Sequence, residues 1–200
     1  MKQGSNHNGS RGGSPVGRLR TQRGVGLLEV LIALVIISIG LLGMAGLQAK
    51  AVKAERDSFN QTMAMVYAYY LSERVRANGE DPLAPTFPYN NFTAPIANPG
   101  TNCDLLAANC TVAQRARQDV FEWQQQVALN LPNANAVICL DSTPFDGTAR
   151  VNAAGVTTLV HGCDGAAGAN YAIKLFWLNN RYDDNAGVVD KTRFAMEFIP

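Results

Sequence analysis

Residues 25–49 read VGLLEVLIALVIISIGLLGMAGLQA, and this stretch decides the architecture. Glu29 is its only charged residue. As a helix rising about 1.5 Å per residue it makes a rod of roughly 37 Å, enough to cross a hydrocarbon core of about 30 Å. A cleaved secretory signal carries an apolar run of only about 7–15 residues, followed by a small-residue exit site. This run is longer. The pattern predicts one retained transmembrane helix.

The flanks give its orientation. Residues 1–24 hold five bases (Lys2, Arg11, Arg18, Arg20, Arg23) and no acid. The 200-residue chain has 17 bases and 16 acids, so 12 bases face 16 acids over the rest. A basic head on an acidic body reads as a targeting segment on a secreted or membrane protein. Four bases (Arg11, Arg18, Arg20, Arg23) lie close before the apolar run and three (Lys50, Lys53, Arg56) close after it. That asymmetry favours a cytoplasmic N-terminus. All four cysteines lie downstream, which suits an oxidising compartment for the C-terminal domain. The net charge of +1, with no basic cluster in residues 82–200, argues against a nucleic-acid partner.

Glu29 stands out because a carboxylate in an apolar segment is costly and points to function. A helix start at the lipid interface, where the dipole favours an anion, is the simpler use. The surrounding residues add to it. Arg23-Gly24-Val25-Gly26-Leu27-Leu28-Glu29 resembles the type IV prepilin signature: a basic leader ending in Gly, four mostly apolar residues, then Glu. The family usually has Phe where this chain has Val25, and Thr or a similar residue where it has Gly26. The resemblance implies that prepilin peptidase cuts after Gly24 and methylates the new amine of Val25. Glu29 then becomes the fifth mature residue. In a filament it would pair with the terminal amine of a neighbour, satisfying a buried carboxylate and setting axial register.

The run 38–48, SIGLLGMAGLQ, resembles the PilV-type minor pilins, also called type IV pilus modification proteins. Gly40, Gly43 and Gly46 are three apart, so they do not form a G-x-x-x-G pairing face. Each costs about 1 kcal/mol of helix propensity relative to Ala. They serve either close packing against other helices or a helix able to unwind on leaving the bilayer. Residues 1–15, rich in Gly, Ser and Asn, read as disordered. The leader is long for a prepilin, so translation is expected to start nearer Val16.

Beyond the bilayer, Val52, Phe59, Met63, Val66 and Tyr70 recur at helical spacing, and Asn78-Gly79 offers a stop. The helix is therefore expected to continue over 50–78 and to lay its Phe59/Met63/Tyr70 face on a head. Residues 79–110 hold five of the nine prolines and read as a long loop with little regular structure. Thr111-Val112-Ala113-Gln114 is a capping box. The Val112, Ala116, Val120, Trp123, Val127 stripe predicts a helix ending at Leu131-Pro132, with Trp123 as core anchor. Arg115, Arg117, Asp119 and Glu122 fall on its solvated face. After Pro132 the period changes to two. The runs 136–140, 157–161, 171–178 and 192–199 read as strands of an antiparallel sheet packed on the long helix.

Four cysteines permit three pairings. Cys103–Cys110, clipping the loop's end, with Cys139–Cys163, joining a strand to a turn, is the expected one. Zinc is the competitor, but there is no C-x-x-C, and His161 is the only histidine after the leader. No G-x-S-x-G, P-loop or H-E-x-x-H motif occurs. Asp141, Asp146-Gly147 and Asp183-Asp184-Asn185 lack the ligand spacing of an EF-hand and read as turns. No catalytic residue, metal or cofactor is expected.

The expectation is an α+β chain of the type IV pilin fold, with a long N-terminal helix on a small antiparallel sheet and an extra helix. Its parts are a cleaved leader (1–24), a transmembrane or filament-core helix (25–49), an amphipathic continuation (50–78), a Pro-rich loop (79–110) and a head (111–200). By resemblance it is a non-enzymatic minor pilin that assembles into, initiates or modifies a type IV pilus, supporting adhesion or motility. Its partners are other pilins through the N-terminal helix, prepilin peptidase and the pilus assembly machinery. It resides in the inner membrane with its head periplasmic, and then at the cell surface. The alternatives are a minor pseudopilin of a type II secretion system and a single-pass, membrane-anchored periplasmic binding protein or enzyme.

Overall fold

The structure, a computed structural model, describes residues 26–78, 88–105, 108–179 and 188–199. The chain divides into two compact units, residues 1–47 and residues 48–200. The leader, with Gly24 and Val25, the Asn78-Gly79 stop beyond Asn78, and the Asp183-Asp184-Asn185 turn lie outside the described residues.

Helix α1 spans Leu27–Ala77. In the first unit it is apolar on all sides and exposed throughout. In the second it buries Ala64, Ala68, Leu71, Ser72 and Val75. The expected Phe59/Met63/Tyr70 face is corrected here: Phe59 and Tyr70 are exposed, and Met63 is only partly buried. Two alanines at i and i+4 let the backbone approach the head closely, whereas large side chains hold it off.

Helix α2, Val112–Asn130, begins at a complete capping box between Thr111 and Gln114. Ala116, Val120, Trp123 and Val127 are buried, and Trp123 Nε1–H donates to the Tyr67 carbonyl at 2.9 Å. One side chain thereby fills the core and ties α2 to the backbone of α1.

The strands are β1 (Asn91–Phe92), β2 (Asn135–Leu140), β3 (Thr148–Asn152), β4 (Thr157–Val160), β5 (Tyr171–Trp177), β6 (Val188–Asp190) and β7 (Thr192–Phe198). They form two sheets, ordered β1-β2-β5-β7 and β4-β3-β6, with every pairing antiparallel. The run 157–160 therefore belongs to a second sheet, not to the main one. Strand β3 alternates over its five residues, with Ala149 and Val151 buried, and was missed; β6 is only three residues long. Strand β5 is buried along its whole length. Tyr171, Ile173, Leu175 and Trp177 join the core that contains both helices, while Phe176 packs with Val137 and Ala149 on the opposite face. Burial on both faces accounts for the apolar thickening of this run.

The described part of the Pro-rich loop is more structured than its composition suggests. Phe92 pairs with Ile138 in β2, and Tyr89 is fully buried. Two buried glutamines of α2 supply the loop's missing backbone partners. Gln124 Oε1 accepts from the Ile96 N–H at 3.0 Å and its Nε2 donates to the carbonyls of Ala94 and Ala136; Gln118 Oε1 accepts from the Cys103 N–H. Such satisfaction depends on tertiary neighbours and leaves no local signature.

Candidate assembly and processing site

The first turn of α1 opens on the Gly26 carbonyl, which accepts from the N–H of Glu29 at 2.9 Å and of Val30 at 3.3 Å. This puts Glu29 in the helix's first turn, where the positive end of the dipole favours its carboxylate. Among the described residues no side chain partners it. Around and after it Leu27, Leu28, Leu31, Ile32, Leu34, Val35 and their successors to Leu47 are exposed. By length and composition this helix suffices to cross a membrane. Apolar surface costs roughly 25 cal/mol per Å² in water, so a helix bare on every side requires lipid or like helices around it. The one hydroxyl between Leu27 and Leu47 is satisfied internally: Ser38 donates to the Leu34 carbonyl at 2.7 Å.

The three glycines of the helix have open surroundings. A Cβ at Gly40, Gly43 or Gly46 would meet nothing within 4 Å. Packing among the described residues does not require them, so their use lies elsewhere or with the helix itself.

In the head, Cys103 pairs with Cys110 (Cα–Cα 5.6 Å) and Cys139 with Cys163 (Cα–Cα 6.1 Å). Asp141 lies beside the second pair, and the three residues are close enough to suggest a metal group. Sulfurs bonded to each other are not thiolate ligands, and the Asp141 carboxylate is engaged by Lys174. His161 Nδ1 accepts from the Cys163 N–H at 3.0 Å, a turn role.

Asp119, expected on the solvated face of α2, is buried and central to a polar network. Its carboxylate accepts from Arg74 Nη1 at 2.7 Å and from the Tyr89 hydroxyl at 2.6 Å. Asn78 Nδ2 donates to the Tyr89 oxygen at 3.0 Å, and Arg74 also reaches Glu122 at 2.9 Å. Burial pushes the Asp119 carboxyl up, against the pull of Tyr89 and Arg74. Burial, then donation to Asp119, pushes the Tyr89 phenol well up. Helical spacing alone put Asp119 among charged neighbours; the 45-residue separation from Arg74 hides its partner.

A second cluster also escaped the sequence pattern. Lys174, in the middle of YAIKLFW, is fully buried between Asp141 and Asp146. The available signal was the lone cation in an otherwise apolar strand.

Residues 19–45 match the family model described as the prokaryotic N-terminal methylation motif. No curated protein and no solved structure matches the chain. The motif, the apolar helix that follows it and the α+β head agree with a membrane-anchored, pilin-like or pseudopilin-like structural subunit, and the motif implies processing by prepilin peptidase.

Proposed function

We propose that the chain is a minor pilin of the PilV type, built into a type IV pilus or into the complex that initiates one. The observation that carries this reading is an apolar helix, exposed on all sides, with Glu29 in its first turn, inside the methylation motif. Prepilin peptidase cuts after Gly24 on the cytoplasmic face and methylates Val25. The head lies in the periplasm until the assembly machinery draws the helix from the inner membrane into a bundle of like helices. There Glu29 of one subunit meets the amine of another, and the buried carboxylate gains a partner. The head contributes surface, not catalysis.

Mass spectrometry of the N-terminal peptide, from sheared surface filaments and from membranes, tests this. A methylated Val25 in both fractions is the expected result. An intact leader, with the protein absent from filaments, would overturn it and favour a single-pass anchored binding protein or enzyme. Methylated Val25 in membranes but never in sheared pili would favour a type II secretion pseudopilin. The two cysteine pairs and the glycine run support the pilus reading.

A further inference from the structure

Lys174 stands opposite Val137 of β2 and Ala195 of β7, on the face of β5 that carries Phe176. Its ammonium is held by Asp146 Oδ1 at 2.5 Å, by the His161 carbonyl at 3.0 Å and by the Asp141 carboxylate. Both the Lys174 and Asp141 side chains have no solvent exposure, while that of Asp146 is 46% exposed. Thr143 organises the two acids. Its N–H donates to Asp141 Oδ1 at 3.0 Å, and its hydroxyl reaches Asp146 Oδ2 at 3.0 Å and Asp141 Oδ1 at 3.4 Å.

The backbone is closed tightly over this cluster. Gly147 has φ +89°, and a Cβ there would lie 2.6 Å from the His161 oxygen. Gly162 has φ +74°, and a Cβ there would collide with the Asp146 carboxylate. Neither position accepts a side chain. The Lys174 amine and the Asp141 carboxyl are in direct contact, and neither side chain has any solvent exposure. A buried ion pair is by itself a poor source of stability. The same placement is close to ideal for joining the two groups.

We propose that Lys174 Nζ and the Asp141 carboxyl condense inside the folded head to form an isopeptide bond, with Asp146 as the proton carrier. Asp146 takes one proton from the ammonium. The free amine attacks Cγ of Asp141, and the charge that develops on Oδ1 is met by the Thr143 N–H. Oδ2 leaves as water, receiving one proton back from Asp146 and a second from Nζ. The ammonium and carboxylate thus become an amide and one water, with no oxidant, metal or cofactor required. Asp146 rests as the carboxylate: burial works against its charge, but the hydrogen bonds from Lys174 and Thr143 outweigh it and hold its carboxyl below the ordinary range. Contact geometry of this kind replaces a bimolecular encounter, and exclusion of water disfavours the reverse reaction. The bond would fasten β5 to the segment that follows β2.

The test is mass spectrometry of the native chain after reduction and alkylation. Condensation removes one water, about 18 Da. Succinimide formation at Asp146-Gly147 or Asp164-Gly165 removes the same mass, so the linked peptide decides. The expected result is that trypsin fails to cut after Lys174 and that residues 118–150 are recovered joined to the Lys174 peptide. Lys174→Arg is expected to abolish the loss, and Asp146→Asn to leave the two peptides separate in a chain of native circular dichroism. Recovery of a free Lys174 peptide from the native chain would overturn the proposal, leaving an ion pair only. So would a linkage of residues 118–150 to the same peptide that persists in K174R. If K174R fails to fold, the wild-type tandem spectrum alone settles the point.

Discussion

Arg74 of α1 and Asp119 of α2 meet at 2.7 Å, and the Tyr89 hydroxyl closes on the same carboxylate from the loop between the helices. One buried acid thus fixes three segments that are far apart in sequence. Replacing Asp119 by Ala leaves the Tyr89 hydroxyl without this acceptor and the guanidinium with Glu122. The expected cost is roughly 1–3 kcal/mol, with Tyr89→Phe costing about 1.5 kcal/mol. Urea unfolding of the detergent-solubilised chain reads both. Unchanged midpoints would mean that the network is peripheral.

The buried face of α1 is made of small residues. Ala68 is completely enclosed, so Ala68→Leu is expected to overpack the core by about 1–3 kcal/mol. Phe59 is exposed in the isolated chain, and Phe59→Ala should change head stability by no more than about 0.5 kcal/mol. Reversed magnitudes in the same unfolding assay would restore the aromatic stripe as the docking face.

Glu29→Ala removes the carboxylate without shortening the apolar helix. The variant is expected to be processed and anchored normally but depleted from sheared filaments several-fold relative to membranes. Immunoblots of the two fractions measure the ratio. Normal incorporation would dissociate Glu29 from subunit register.

The two disulfides close loops of different size, with sequence separations of 7 and 24. In the chain-entropy account the longer loop contributes about 3.5 kcal/mol and the shorter about 2.5 kcal/mol. Cys139→Ser/Cys163→Ser is therefore expected to lower the unfolding midpoint further than Cys103→Ser/Cys110→Ser. Peptide mapping without reductant checks the pairing directly, and free thiols in the native chain would refute it.

Lys191 is buried, its Nζ donating to the Asn133 carbonyl at 2.6 Å and to Asn135 Oδ1 at 2.6 Å. Burial pushes its ammonium down to about 8, from an ordinary 10.5. Between those two values the unfolded chain holds more protons than the native one, so this group adds stability as pH rises and adds none below the window. Wild type should gain stability relative to Lys191→Met between pH 8 and 10.5. A constant difference across that range would contradict the shift.

The apolar helix, its single acid, the capping box of α2 and four of the seven described strands follow from the sequence because each rests on local composition or period. Trp123 was legible as an anchor for the same reason. The tertiary structure alone decided the alanine face of α1, the second sheet, the burial of Asp119 and the enclosure of Lys174 between two acids. Each of these depends on partners tens of residues away. Burial of a polar group is set by the neighbours that satisfy it, and a one-dimensional pattern does not carry that information.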